Sequence, residues 1–178
     1  MPGKWLRITT EQNAIDFLEK AAEYTERADD YKWKWVSICL HAALYGFAIC
    51  ALRGTDPDRV ATCGKKGKSR RRLIEFPEAL KRCQQDVYMH QYVHSRALEL
   101  TGDEKWAIEK ISRTLRNNFE HYLPKLWSIE VSGMPLIVRH LSRVIRFLAL
   151  ESGNFRPGSR AEQNRITEAL AVLEQATE

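Results

Sequence analysis

The sequence predicts an all-α helical bundle of about five to six helices. Three observations predict it: apolar residues recur at helical spacing in several separate stretches, glycine and proline punctuate the gaps between them, and no convincing alternating strand or internal repeat is present. At 178 residues, 44% hydrophobic and 29% charged, the chain fits one domain spanning 1–178 with a core of its own, without a disulfide or metal staple.

Thr9 or Thr10 caps a first helix expected to run to about Asp29, with Phe17, Leu18, Ala21, Tyr24 and Ala28 on its apolar stripe. Its other face is acidic, carrying Glu11, Asp16, Glu19, Glu23 and Glu26. The second helix lies between Lys34 and Arg53 and reads WVSICLHAALYGFAICAL, with no full charge. That length approaches a membrane span. Ser37, His41 and Gly46 interrupt it, no second such segment exists, and a central helix packed on most sides gives the same signal. No membrane association is expected.

A third helix is expected from about Glu75 to Leu98. TGDE at 101–104 stops it and caps a fourth, from about Glu104 to Tyr122. Breakers fill the stretch from Pro124 to Pro135. A fifth helix then runs to about Glu151, Pro157 and Gly158 mark a turn, and a C-terminal helix occupies about 160–177.

The connection from about Gly54 to Leu73 is longer than most helix–helix loops. It contains GKKGKSRRR, so Lys65, Lys66, Lys68, Arg70, Arg71 and Arg72 stand together with no acid among them. A solvated surface loop has this composition, and so does a contact for the phosphates of RNA. The stretch imitates the end of a phosphate-binding P-loop, but the first glycine would fall at Thr62 and no buried strand precedes it, so a nucleoside-triphosphatase is excluded. The net charge of +5 permits anionic partners. The four cysteines are scattered with no CxxC pair, and the start has no apolar signal core. A cytoplasmic protein with reduced thiols is expected.

Two clusters carry candidate chemistry. On the fourth helix, Ile108, Ile111, Leu115, Phe119 and Tyr122 share one stripe at 100° per residue. Arg116, Asn117 and His121 fall on the opposite half, away from their own bundle and toward solvent or a partner subunit. Histidine moves protons near neutral pH, arginine grips two phosphate oxygens and stabilises added negative charge, and asparagine orients either. RNA brings its own nucleophile, the 2′-hydroxyl, so such a site needs no cofactor and no metal. The rival cluster is Cys83, His90 and His94 on the third helix, at i, i+7 and i+11. The two histidines have metal-ligand spacing, but the stripe also holds Phe76, Leu80, Val87 and Leu98, which points to buried, hydrogen-bonded histidines instead. On the fifth helix, Arg139, Arg143 and Arg146 lie opposite Ile137, Leu141, Val144 and Leu148, as a solubilising face or a further rail for an RNA backbone.

The fragment LRNNFEH, late in an all-α chain, resembles the signature of the HEPN superfamily: an Arg, a polar residue, then a His after four to six intervening residues. The segment ICLHAALYGFAICAL resembles that family's central helix. The resemblance spans roughly residues 11–151 in helix order, with specific identity confined to the short motif. It implies a homodimer with both motifs at the dimer cleft, and metal-independent endoribonuclease activity on RNA in a toxin–antitoxin, CRISPR or anti-phage setting. Arg116, Asn117 and His121 would be catalytic. Other members of the family are non-catalytic binding or scaffold modules that engage an antitoxin or another defence-system protein.

Overall fold

The computed structural model describes residues 3–62, 72–120, 124 and 126–175, and these form an all-α bundle with one two-residue strand pair. The first helix, α1 (Thr10–Thr25), begins at a complete capping box: Thr9 Oγ1 accepts from Gln12 N–H at 3.1 Å and Gln12 Oε1 accepts from Thr9 N–H at 3.1 Å. It ends four residues earlier than its stripe suggests, so Ala28 is exposed and belongs to no core.

The centre of the bundle is α2 (Lys32–Arg53), which packs against α1 and against several of the later helices. Its most apolar window is 67% buried, and its core side chains include Leu40, Leu44, Phe47 and Leu52. The α1–α2 approach is closest at Gly46, where an added Cβ would stand 2.7 Å from the Cβ of Ala14. Arg53 on α2 is ion-paired to Glu11 on α1.

A short 3-10 turn (Pro57–Val60) follows, then β1 (Ala61–Thr62), paired antiparallel with β2 (Arg72–Leu73). Two residues per strand are too few to leave an alternating pattern, which is why the sequence shows none. Arg72 therefore lies on a strand, exposed, and its carbonyl accepts from Thr62 Oγ1 at 3.2 Å. Lys65, Lys66, Lys68, Arg70 and Arg71 lie outside the described residues.

The expected third helix is broken. It forms α3 (Phe76–Cys83) and a single turn, α4 (Asp86–Met89), and residues 90–100 are irregular. Bonds to distant parts of the chain hold this shape. Gln91 Nε2 donates to the carbonyls of Ala51 and Leu52 at 2.9 and 3.0 Å, closing the last turn of α2 where Gly54 takes a positive φ of 48°. Asn154 Nδ2 donates to Met89 O at 2.8 Å, Ser95 Oγ donates to Asn154 Oδ1 at 2.5 Å, and Leu98 N–H donates to Cys83 O at 2.8 Å.

Thr101 and Glu104 make the second capping box, opening α5 (Gly102–Glu109). The helix widens into a π segment over Lys110–Arg116 and closes as α6 (Asn117–Glu120). After the gap, α7 (Met134–Arg146) starts with Pro135 in its first turn and also ends in a π segment, Phe147–Glu151. Its core face carries Ile137, Leu141 and Val144, with Leu148 in the π extension, as the spacing predicts. The last helix, α8 (Arg160–Gln175), packs on α1, where Arg165 grips Glu19 with two bonds of 2.6 and 2.5 Å.

Candidate functional site

Three elements enclose a cleft of about 980 Å³. From α2 come Ile38, His41, Ala42 and Tyr45, which share a face at i, i+3, i+4 and i+7. The strand-to-helix junction and α3 supply Glu75, Phe76, Leu80, Lys81 and, one residue on, Gln84. The opposite wall is the α5 helix and its π extension, with Lys105, Ile108, Glu109, Ser112, Arg113 and Arg116, followed by Asn117 at the start of α6.

Arg116 and Asn117 thus line a cleft of their own bundle, rather than the outer face expected of them from the sequence. Arg116 follows Lys105, Ile108, Glu109 and Ser112 at i, i+3, i+4, i+7 and i+11, so these residues share the flank beside the apolar stripe, and that flank is the cleft wall. Ile108, Ile111 and Leu115 are buried in the core and Phe119 packs against it, as their helical spacing predicts. Arg116 Nη1 donates to Asn117 Oδ1 at 3.3 Å, so the guanidinium and the amide form one polar unit. His121, the third residue of the motif, lies outside the described residues, as does Tyr122.

The cleft is cationic. Lys81, Lys105, Arg113 and Arg116 face two carboxylates, Glu75 and Glu109, and the second of these is engaged by Arg113 at 3.0 Å. The same cleft holds a ring cluster that no sequence motif announces. The Phe76 ring sits 4.6 Å from that of His41 and 5.9 Å from that of Tyr45, measured between centroids. The Tyr45 hydroxyl donates to the carbonyl of Ile74, fixing its ring and tying the return strand of the basic loop to α2. Burial, helped by the nearby Glu75 carboxylate, pushes the Tyr45 phenol up, so it remains a donor at neutral pH. The signal available in the sequence was the pair His41 and Tyr45, four residues apart in an otherwise apolar helix.

The rival cluster is not assembled. Cys83 is buried and donates weakly to Ala48 O at 3.7 Å, and burial pushes its thiol up to about 12. His90 and His94 are exposed beyond the helix break, and His90 Nε2 meets Asp86 Oδ1 at 3.2 Å. The helical spacing that put them on one stripe does not exist there, and Val87 from the same stripe is 77% exposed. Among the described residues, no three His, Cys, Asp or Glu side chains are grouped to hold a metal ion. Of the α7 arginines, Arg146 is committed to Glu174 of α8 through bonds of 3.0 and 2.7 Å, while Arg143 is exposed.

No family model, no curated protein and no solved structure matches the chain.

Proposed function

We propose that the protein is a metal-independent endoribonuclease of the HEPN type, a cytoplasmic homodimer acting on RNA within a toxin–antitoxin, CRISPR or anti-phage system. The observation that carries this reading is the position of Arg116 and Asn117, bonded to each other on the wall of a cationic cleft. Arg116 would stabilise the charge that gathers on the non-bridging phosphate oxygens. Asn117 would hold the guanidinium in place. His121 would serve as base or acid. The RNA 2′-oxygen bonds to phosphorus and gives up its proton, and the 5′-oxygen leaves with its electron pair and takes up a proton. The products are a 2′,3′-cyclic phosphate and a 5′-hydroxyl. The basic loop at 65–72 would hold flanking phosphates.

A non-catalytic binding module is the second reading. It is favoured by the exposed apolar side chains Trp106, Val131 and Leu136, which a partner such as an antitoxin would cover. One assay separates the two. Cleavage of single-stranded RNA is followed with EDTA present, with the natural substrate and with a 2′-deoxy residue at the cut site. The nuclease cuts only the former and does so without metal. Cleavage of the deoxy substrate, dependence on added metal, or full activity in His121→Ala ends the catalytic reading.

A further inference from the structure

The ring cluster beneath Arg116 has no part in phosphate chemistry, and it gives the cleft a second capacity. We propose that the cleft binds a nucleobase of single-stranded RNA, stacked on His41 and Tyr45, beside the phosphate engaged at Arg116. This rests on RNA being the ligand, as argued above, and adds that the protein grips a base and not the backbone alone.

Three observations converge on it. First, the volume of about 980 Å³ is at the upper end of the ~300–1,000 Å³ range of small-molecule sites and far exceeds what a phosphate needs. Second, the rings are prepared for a flat ligand. His41 and Tyr45 are half-buried and line the cleft together with the largely buried Phe76, whose ring contacts both of theirs. The Tyr45 hydroxyl is anchored on Ile74 O, so its plane is set before any ligand arrives. Third, polar groups stand around those rings. Asn117 accepts from Arg116 through its carbonyl oxygen, so its amide nitrogen remains a donor for a ligand in the cleft. Lys81 and Lys105 supply positive charge at the same cleft. A flat apolar body with an attached anion satisfies both halves of this lining. A hydrocarbon chain would leave the cations unmatched, and an inorganic anion would leave the rings bare.

The experiment uses the full chain and a short single-stranded RNA with 2′-fluoro sugars, which binds but offers no 2′-hydroxyl nucleophile. Affinity is measured by calorimetry for this probe and for versions with one base removed at each position in turn. Ala42 lies between the rings on α2 and is only partly buried, so Ala42→Leu fills the cleft without removing a polar group, and Ala42→Ser is the space-conserving control. Loss of one particular base is expected to weaken binding about 5- to 150-fold, the usual worth of one stacked base. Ala42→Leu should weaken the intact probe by a similar factor and erase the difference between intact and abasic probes, and Ala42→Ser should preserve both. Equal affinity for intact and abasic probes overturns the proposal even where Ala42→Leu fails to fold. So does unchanged binding in a folded Ala42→Leu, no binding of the probe by the unaltered chain, or displacement of the probe by an oligoglutamate peptide at equal concentration. Because the probe cannot be cut, base binding without nuclease activity, or nuclease activity without base binding, would tell the two ideas apart.

Discussion

Replacing Gly46 with alanine tests the packing that places the cleft. The added Cβ would stand 2.7 Å from Ala14 Cβ and 3.3 Å from Ala14 Cα, whereas ordinary contact begins at 3.4 Å. The opposing atoms belong to a short side chain and to backbone, so nothing can swing aside, and α1 and α2 must separate by at least about 0.7 Å. Overpacking of this kind costs about 1–3 kcal/mol. Alanine in a helix interior returns about 1 kcal/mol relative to glycine, leaving a net loss of about 0–2 kcal/mol. The sharper measure is therefore the coupling with Ala14. In an Ala14→Gly background the opposing methyl is gone, and Gly46→Ala should stabilise by about 1 kcal/mol instead of destabilising. A double-mutant cycle in urea should give a coupling of about 1–3 kcal/mol, and each kcal/mol lost should lower the melting temperature by about 2–4 °C in a chain of this size. Additive effects, within about 0.5 kcal/mol, would show that the two helices do not meet at this point.

Arg116→Ala should cost about 3 kcal/mol of transition-state stabilisation and His121→Ala about 100- to 10,000-fold in cleavage rate, read in single-turnover assays on RNA. Changing Lys65, Lys66, Lys68, Arg70, Arg71 and Arg72 to Gln should flatten the dependence of log K on log salt, each lost phosphate contact removing about 0.7 of slope on a single strand; an unchanged slope removes the loop from the contact surface. Sedimentation at micromolar concentration should give about twice the 20.7 kDa of one chain, and a monomer under those conditions refutes the homodimer. Burial pushes the thiols of Cys39, Cys50 and Cys83 up to about 11, 12 and 12, so peptide mapping after iodoacetamide at pH 8 should find all three unmodified in the folded protein and modified in denaturant.

Features set by neighbouring residues were legible in the sequence. The caps at Thr9 and Thr101 were readable because each is completed three residues later, by Gln12 and Glu104. The buried character of α2 was readable from its lack of charge. The break in the third helix was not, because no glycine or proline stands between Pro77 and Gly102 to announce it. It is imposed by Ala51, Leu52 and Asn154, partners that no local window contains. That single miss also created the apparent Cys83–His90–His94 stripe. The cleft wall escaped for a different reason: Arg116 shares a flank with Lys105, Ile108, Glu109 and Ser112, and only the packing of α2 and α3 against that flank makes it a wall of the bundle. Arg116 and Asn117 were singled out by residue type, and the outer face assigned to them is instead a cleft of the bundle.

The closing of α2 by Gln91, and of that segment in turn by Asn154, sets an order on how the chain is made. Helices α1 and α2 leave the ribosome before the rest of the bundle and can pair at once. The last turn of α2 must then wait for a glutamine 38 positions beyond Arg53, and that glutamine's own segment waits for residues that follow the whole of α7. At about 5–20 residues per second, the roughly hundred residues from Arg53 to Asn154 take about 5–20 s to appear. For that interval the apolar end of the central helix is uncovered in the nascent chain. Holding factors that recognise exposed apolar helix would have their target there, and a pause in translation before position 152 would lengthen the exposure.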